Sequence, residues 1–172
     1  MIKVSTIDLS RMEKSRDVLY RMADRRETKP TARTEALNYR YLGDYFNEIL
    51  HAKEEGKFLV AHSVLVPPEI IRAMDMVPLH LEIVSGTVMP IVLREAEGFL
   101  ARAKSYGLPP EVCSMHRHIA AASVAGWLPR PDAVIWSNQV CDGTVKSNEL
   151  VVECFGSDPF YCDCPYEHKD RA

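Results

Sequence analysis

Apolar and polar positions follow two different rhythms along this chain, and the change of rhythm divides it. From Met1 to about Lys29 the sequence is polar and charged, including Asp24-Arg25-Arg26-Glu27. Its weak spacing of Leu9, Met12, Leu19 and Met22 predicts one or two helices lying on a surface, ended at Pro30. Leu37, Tyr41, Leu42, Tyr45, Phe46, Ile49 and Leu50 then recur at helical spacing and predict an amphipathic helix, with Thr34 as its N-cap and Gly56 as its stop. Residues 1–56 are therefore expected to form an N-terminal helical segment.

The period shortens after Gly56. Lys57-Phe58-Leu59-Val60-Ala61-His62-Ser63 is a short, mostly apolar run of the kind found in parallel strands buried on both faces. Pro67-Pro68-Glu69 follows, with proline and an acid where a first helical turn tolerates both, and Ile70, Ile71, Ala73 and Met74 continue that helix. Val77 to Leu81 predicts a second strand. Pro90 to Tyr106 predicts a helix with Ile91, Leu93, Phe99 and Leu100 inward and Gly107 at its end. Cys113 leads into a small-residue helix through Ile119-Ala120-Ala121-Ala122 to Gly126, with Pro129 and Pro131 beyond it. Ala133 to Ser137 is a strong buried strand, Cys141-Asp142-Gly143 opens a helix to about Glu153, and Pro159 to Cys162 predicts a last strand. Strand and helix alternate without hairpin signals, which predicts an α/β domain over 57–172, a parallel sheet flanked by helices.

Composition narrows the partners. The chain has 172 residues, 47% apolar and 26% charged, ordinary for a soluble globular protein and enough for one α/β core. A net charge of −3 gives no basic footprint and disfavours nucleic acid. The N-terminus lacks the apolar core of a signal peptide, and no run is long enough to span a bilayer, so a cytoplasmic protein without membrane contact is expected. Its five cysteines are an odd number, read in a reducing compartment as free thiols or metal ligands. No glycine-rich phosphate loop, H-E-x-x-H or G-x-S-x-G is present, so nothing points to ATP binding by this chain.

The candidate chemistry gathers where strands end. Ligands of open parallel sheets bind outside the carboxyl ends of the strands, and Cys141 follows the 133–137 strand directly. Cys113 precedes a helix, so its sulfur is expected near the positive end of the helix dipole, which suits a thiolate. The two lie 28 residues apart, about one helix plus one strand, the length needed to leave a sheet edge and return. Soft-metal ligation is one reading of the pair; two buried small apolar residues is the other. His116 and His118 flank Arg117 at the start of the small-residue helix, as hydrogen-bond donors or proton carriers, or as histidines satisfied by neighbours. Ser63, Pro67 and Glu69 follow the first strand at the same edge, where helix capping also accounts for Glu69, and Asp142 either starts its helix or faces a site. Cys162 and Cys164 alternate in an extended segment, as a metal pair or as packing at a fold edge; Cys154 falls in a helix as a structural residue.

Three segments together carry a family resemblance: G-K-F-L-V-A-H-S-V-L-V-P-P-E-I-I-R-A-M-D-M-V-P-L, V-C-S-M-H-R, and P-R-P-D-A-V-I-W-S-N-Q-V-C-D-G-T-V-K. In this order they resemble subunits of the 2-hydroxyacyl-CoA dehydratase and benzoyl-CoA reductase family, from about Gly56 to Pro165. The resemblance implies a flavodoxin-like fold and a [4Fe-4S] cluster held by three cysteines, two of which match Cys113 and Cys141. It implies an acyl-CoA substrate that is dehydrated through a ketyl radical or reduced, a paralogous dehydratase or reductase subunit, and an ATP-dependent activator that donates the electron. On this resemblance Ser63, Glu69 and His116 are candidate catalytic residues, and Pro67, Ser114 and Asp142 line the substrate site. Family subunits are considerably longer, and the later domain bearing their third cysteine ligand has no counterpart here. The rival expectations are a non-catalytic partner or assembly subunit, and a small zinc or redox protein using Cys162 and Cys164.

Overall fold

A computed structural model describes residues 3–29, 33–139 and 141–164. Two long helices open it, α1 (Ser10–Glu27) and α2 (Arg33–His51), and they pack on each other. Met12, Ser15, Leu19 and Ala23 form the buried stripe of α1. On α2 the inward stripe is Ala36, Phe46 and Ile49, with Leu42, Tyr45 and Leu50 partly buried. Leu37 and Tyr41, expected on the inward face, are 60% and 69% exposed, because α1 takes the neighbouring face of the helix. Thr34 lies inside α2 rather than capping it; Pro30 lies outside the described residues.

The sheet is all-parallel and four-stranded, in the order β2-β1-β3-β4, with β1 (Leu59–His62), β2 (Val77–His80), β3 (Ala133–Ser137) and β4 (Asp158–Cys162). This is the order of the first four strands of flavodoxin-like sheets, whose switch point lies beside β1 and β3. The central strands are apolar because both faces are covered: every residue of β1 is buried. Asp132 fastens their amino ends, its carboxylate accepting the Leu59 N–H at 2.7 Å and pairing with Lys53. Edge strand β4 is exposed throughout, as the fold-edge reading of the C-terminal cysteines expects. The Asp158 N–H donates to Asp132 O of the β3 side, so by alternation Pro159 and Tyr161 turn their backbone groups to the open edge.

Helices fill all three connections. Helix α3 (Pro68–Ala73) joins β1 to β2. After β2 come α4 (Leu81–Ile83), a π-helical turn (Val84–Val88) and α5 (Met89–Val92), then α6 (Ala96–Ser105), α7 (Ser114–Val124) and α8 (Asp142–Phe155). Leu81 is the first helical residue rather than the end of a strand. The helix expected over 90–106 is two helices, broken at Arg94, which takes φ 57°. The break turns α6 so that Phe99 is fully buried while Ile91 is 64% exposed. Phe46, Ile49, Leu59, Leu79, Phe99 and Ile119 belong to one core shared by the first two helices and the sheet. Each such side chain contributes roughly 1.5–3 kcal/mol by leaving water. No helix among the described residues is long and apolar enough to cross a membrane.

Candidate functional site

Helices α7 and α8 both begin at the carboxyl edge of the sheet, and a cysteine stands at each N-cap. Cys113 caps α7 with φ −45° and ψ 132°, and Cys141 caps α8 with φ −162° and ψ 147°. Neither cap is closed by a side-chain hydrogen bond, so the first amides of both helices keep their positive end open. Cys113 is exposed and Cys141 half-buried.

The two helix starts are knit together through His116, in the first turn of α7. Its Nε2 lies 3.4 Å from Cys141 Sγ, and its Nδ1 lies 3.1 Å from Ser147 Oγ on the second turn of α8. Thr144 Oγ1 approaches the same sulfur at 3.8 Å. Gly143 permits the approach: a Cβ there would stand 2.8 Å from His116 Cδ2 and 3.2 Å from Cys141 Sγ. Burial pushes the His116 pKa below its ordinary value, partly opposed by the Glu82 carboxylate, so the imidazole is neutral at pH 7. A groove of about 460 Å³ opens beside it, lined by the apolar Leu108, Val112, Ala120 and Leu150 and by the polar His116, Asp142, Lys146 and Ser147.

Of the other expected residues, Ser114 and Asp142 lie at this junction, while Ser63, Pro67 and Glu69 sit apart from it. Ser63 is buried just past β1 at the switch point, its N–H donating to Ile135 O at 3.2 Å. Pro67 is the N-cap of α3 and Glu69 lies in its first turn, both exposed, with no polar contact to the cysteine helices among the described residues. Ser114 and Asp142 are the exposed first residues of α7 and α8. Cys154 is buried, and desolvation pushes its thiol up to about 11, which suits packing rather than ligation. Cys162 is exposed on β4, and the Cys164 N–H donates to Asn138 Oδ1 at 2.8 Å.

Three residues at the same edge escape the sequence reading. His62 ends β1, His80 ends β2, and their rings meet edge-on with centroids 4.7 Å apart. Glu82 follows, buried, with Oε2 3.3 Å from His80 Nδ1. His62 Nε2 and both Glu82 oxygens are buried without a hydrogen-bond partner among the described residues. Burial first, and His80 second, push the His62 pKa down to about 4. The sequence signal was a polar letter closing each apolar run, at His62 and at His80.

Two thiols at uncapped helix starts, with a glycine cradle beside one of them, are soft donors in an electropositive setting and fit part of an iron–sulfur ligand set. No group of three or more metal-ligating side chains occurs among the described residues, so these two form an incomplete set.

No curated protein matches the chain. Residues 63–172 match the family model described as 2-hydroxyglutaryl-CoA dehydratase, D-component. That segment begins at the switch-point serine, takes in both capping cysteines and covers more than half of the sequence, so the chain belongs to the 2-hydroxyglutaryl-CoA dehydratase D-component family.

Proposed function

We propose that this chain is the cluster-binding part of a 2-hydroxyacyl-CoA dehydratase or benzoyl-CoA reductase-type subunit. Cys113 and Cys141 are two cluster ligands, and the remaining ligands come from outside this pair. The observation that carries the reading is the contact of Cys141 with the first turn of α7 at a sheet edge, within the segment that matches the family. When bound, the cluster supplies one-electron chemistry and a Lewis-acidic iron.

The chain's own residues hold and shape the site. His116, neutral through burial, orients the Cys141 sulfur and lines the largely apolar groove, where a thioester's acyl part finds low-polarity walls. Ser63 sits where the sheet order reverses, Ser114 and Asp142 place polar groups on the two helix starts, and Pro67 and Glu69 border the far side of the crevice. The partners are an acyl-CoA, a paralogous subunit and an ATP-dependent electron donor, in the cytoplasm.

Iron and acid-labile sulfide per chain, measured after anaerobic purification, test this. About four of each are expected in the wild type, lost in Cys113→Ser and Cys141→Ser and kept in Cys162→Ser and Cys164→Ser. Metal that survives the first two replacements but not the last two makes the C-terminal pair the site and overturns the reading. A wild-type chain without iron makes it an incomplete cluster domain or a non-catalytic partner.

A further inference from the structure

We propose that the cavity between α1, α5 and α6 binds the phosphate group of an organic phosphate, with Arg94 and Arg102 as its charged ligands. The cavity measures about 870 Å³, an ordinary size for a small-molecule site, and Arg11, Ile91, Arg94, Phe99, Arg102 and Trp127 line it. It lies away from the cysteine junction. Trp127 follows α7, whose 11 residues rise roughly 16 Å from the Cys113 end, and no cysteine borders the cavity.

The positive charge is gathered around one ring. Arg11 Cζ stands 3.9 Å and Arg102 Cζ 5.0 Å from the centre of the Trp127 ring, both within cation–π reach. Trp127 is buried and meets Phe99 edge-on with centroids 4.9 Å apart, so it is a fixed support. A ring contact uses a guanidinium's charge and leaves its N–H donors for other partners. Glu95 and Glu97 also border the cavity, so its wall holds three positive charges against two negative ones. Glu95 is already engaged. Its Oε2 accepts from Arg11 Nε at 2.9 Å, and its Oε1 lies 4.0 Å from Lys14 Nζ. Neither Arg94 nor Arg102 has a carboxylate partner among the described residues. Two guanidiniums at one opening are thus left without an anion.

Arg94 takes φ 57°, which glycine would adopt at no steric cost. The position gives up backbone ease and carries a guanidinium instead. The first turn of α6 forms the adjoining wall with no side-chain cap, adding the positive end of a helix to the two arginines. Donors arriving from three directions suit an anion with three terminal oxygens better than a planar carboxylate with two. The remaining volume, beside the exposed Ile91, takes the organic part. A free nucleotide and the tail of an acyl-CoA share this chemistry. Assignment to the tail rests on the proposed acyl-CoA function, whereas the anion site itself does not.

The test uses the full chain with ADP, CoA and adenosine as probes. Calorimetric titration reads affinity, and ¹H–¹⁵N spectra of the Trp127 indole, assigned with Trp136→Phe, read position. ADP and CoA should bind and shift the Trp127 signal, and adenosine should do neither. Arg94→Gly should weaken binding about tenfold or more while the unfolding midpoint holds or rises, because glycine suits this φ. Arg102→Gln should weaken it similarly and Glu97→Gln should strengthen it. Arg130→Gln removes an exposed charge outside the cavity and should leave binding unchanged. CoA binding tighter than ADP names the acyl-CoA tail as the ligand; ADP binding as tightly as CoA or more names a nucleotide. Absence of binding by both overturns the proposal. So does binding that survives Arg94→Gly and Arg102→Gln, or that Arg130→Gln weakens equally. None of these outcomes touches the cluster reading, because Cys113→Ser and Cys141→Ser keep every residue of the cavity.

Discussion

The carboxyl edge of the sheet carries two polar clusters that are opposites in their relation to water. At the starts of α7 and α8, a neutral imidazole lines an open groove, with Cys113 exposed and Cys141 half-buried close by. At the ends of β1 and β2, His62 and Glu82 are buried with His80 half-buried against them, and three side-chain atoms of His62 and Glu82 have no hydrogen-bond partner among the described residues. The buried cluster stores an electrostatic cost that the rest of the core must offset. The contrast also separates two kinds of residue signal. Cysteines at helix starts announce themselves by letter and spacing, whereas a histidine that ends a buried strand reads as an ordinary interruption of an apolar run.

Acid should separate the two clusters most sharply. His62 titrates near 4 when folded and near 6.5 when unfolded. Between those values the unfolded chain binds a proton that the folded chain refuses, so stability rises with pH across this window. The contribution is complete above the unfolded value and is lost as the pH falls toward the folded one, by about 3 kcal/mol. Urea unfolding at either end of the window checks this, and His62→Gln should flatten the dependence. The groups facing His62 are His80 and Glu82. An unchanged slope in the variant would show that His62 does not carry the dependence.

Gly143→Ala probes the open cluster. The new Cβ would press on His116 and the Cys141 sulfur, and a loss of about 1–2 kcal/mol is expected after the ordinary helical gain of alanine over glycine is set against it. Alkylation of Cys141 should accelerate in the same variant as its imidazole neighbour is displaced. Gly98→Ala sharpens the comparison with the smallest effect and the opposite sign. Gly98 lies on α6 with nothing within 4 Å of a Cβ, so stability should rise by about 0.5–1 kcal/mol. If both alanines move the unfolding midpoint the same way, the tight approach at Gly143 is not what shapes the junction.

Much of the frame was legible because its causes are local. Apolar runs at Leu59–His62 and Ala133–Ser137 could only be strands covered on both faces, and Gly107 and Gly126 take the positive φ that ends their helices. Cys113 and Cys141 fall at helix starts as their flanking residues predict. What stayed hidden depends on packing between elements. Arg94 adopts a conformation that its letter disfavours, which splits one expected helix and turns Ile91 outward. The π-helical turn at Val84–Val88 has no periodic signature; it is held from a distance, where His118 Nδ1 donates to Gly86 O at 2.9 Å. The pairing of His116 with Cys141 and Ser147 was likewise invisible, since it joins two helices across 25 and 31 residues of chain.

Pro159 bears on how this protein meets other chains. The backbone of β4 turned to the open edge comes from Pro159 and Tyr161, and proline has no amide hydrogen. A foreign strand laid along β4 would find one donor where a regular edge offers two, with Phe160 and Tyr161 exposed beside it. Proline at such a position is a common guard against edge-to-edge aggregation. Growth of the sheet by templating is therefore checked at β4, the one strand exposed along its full length among the described residues, and a partner meeting that edge engages through side chains more readily than through a shared ladder.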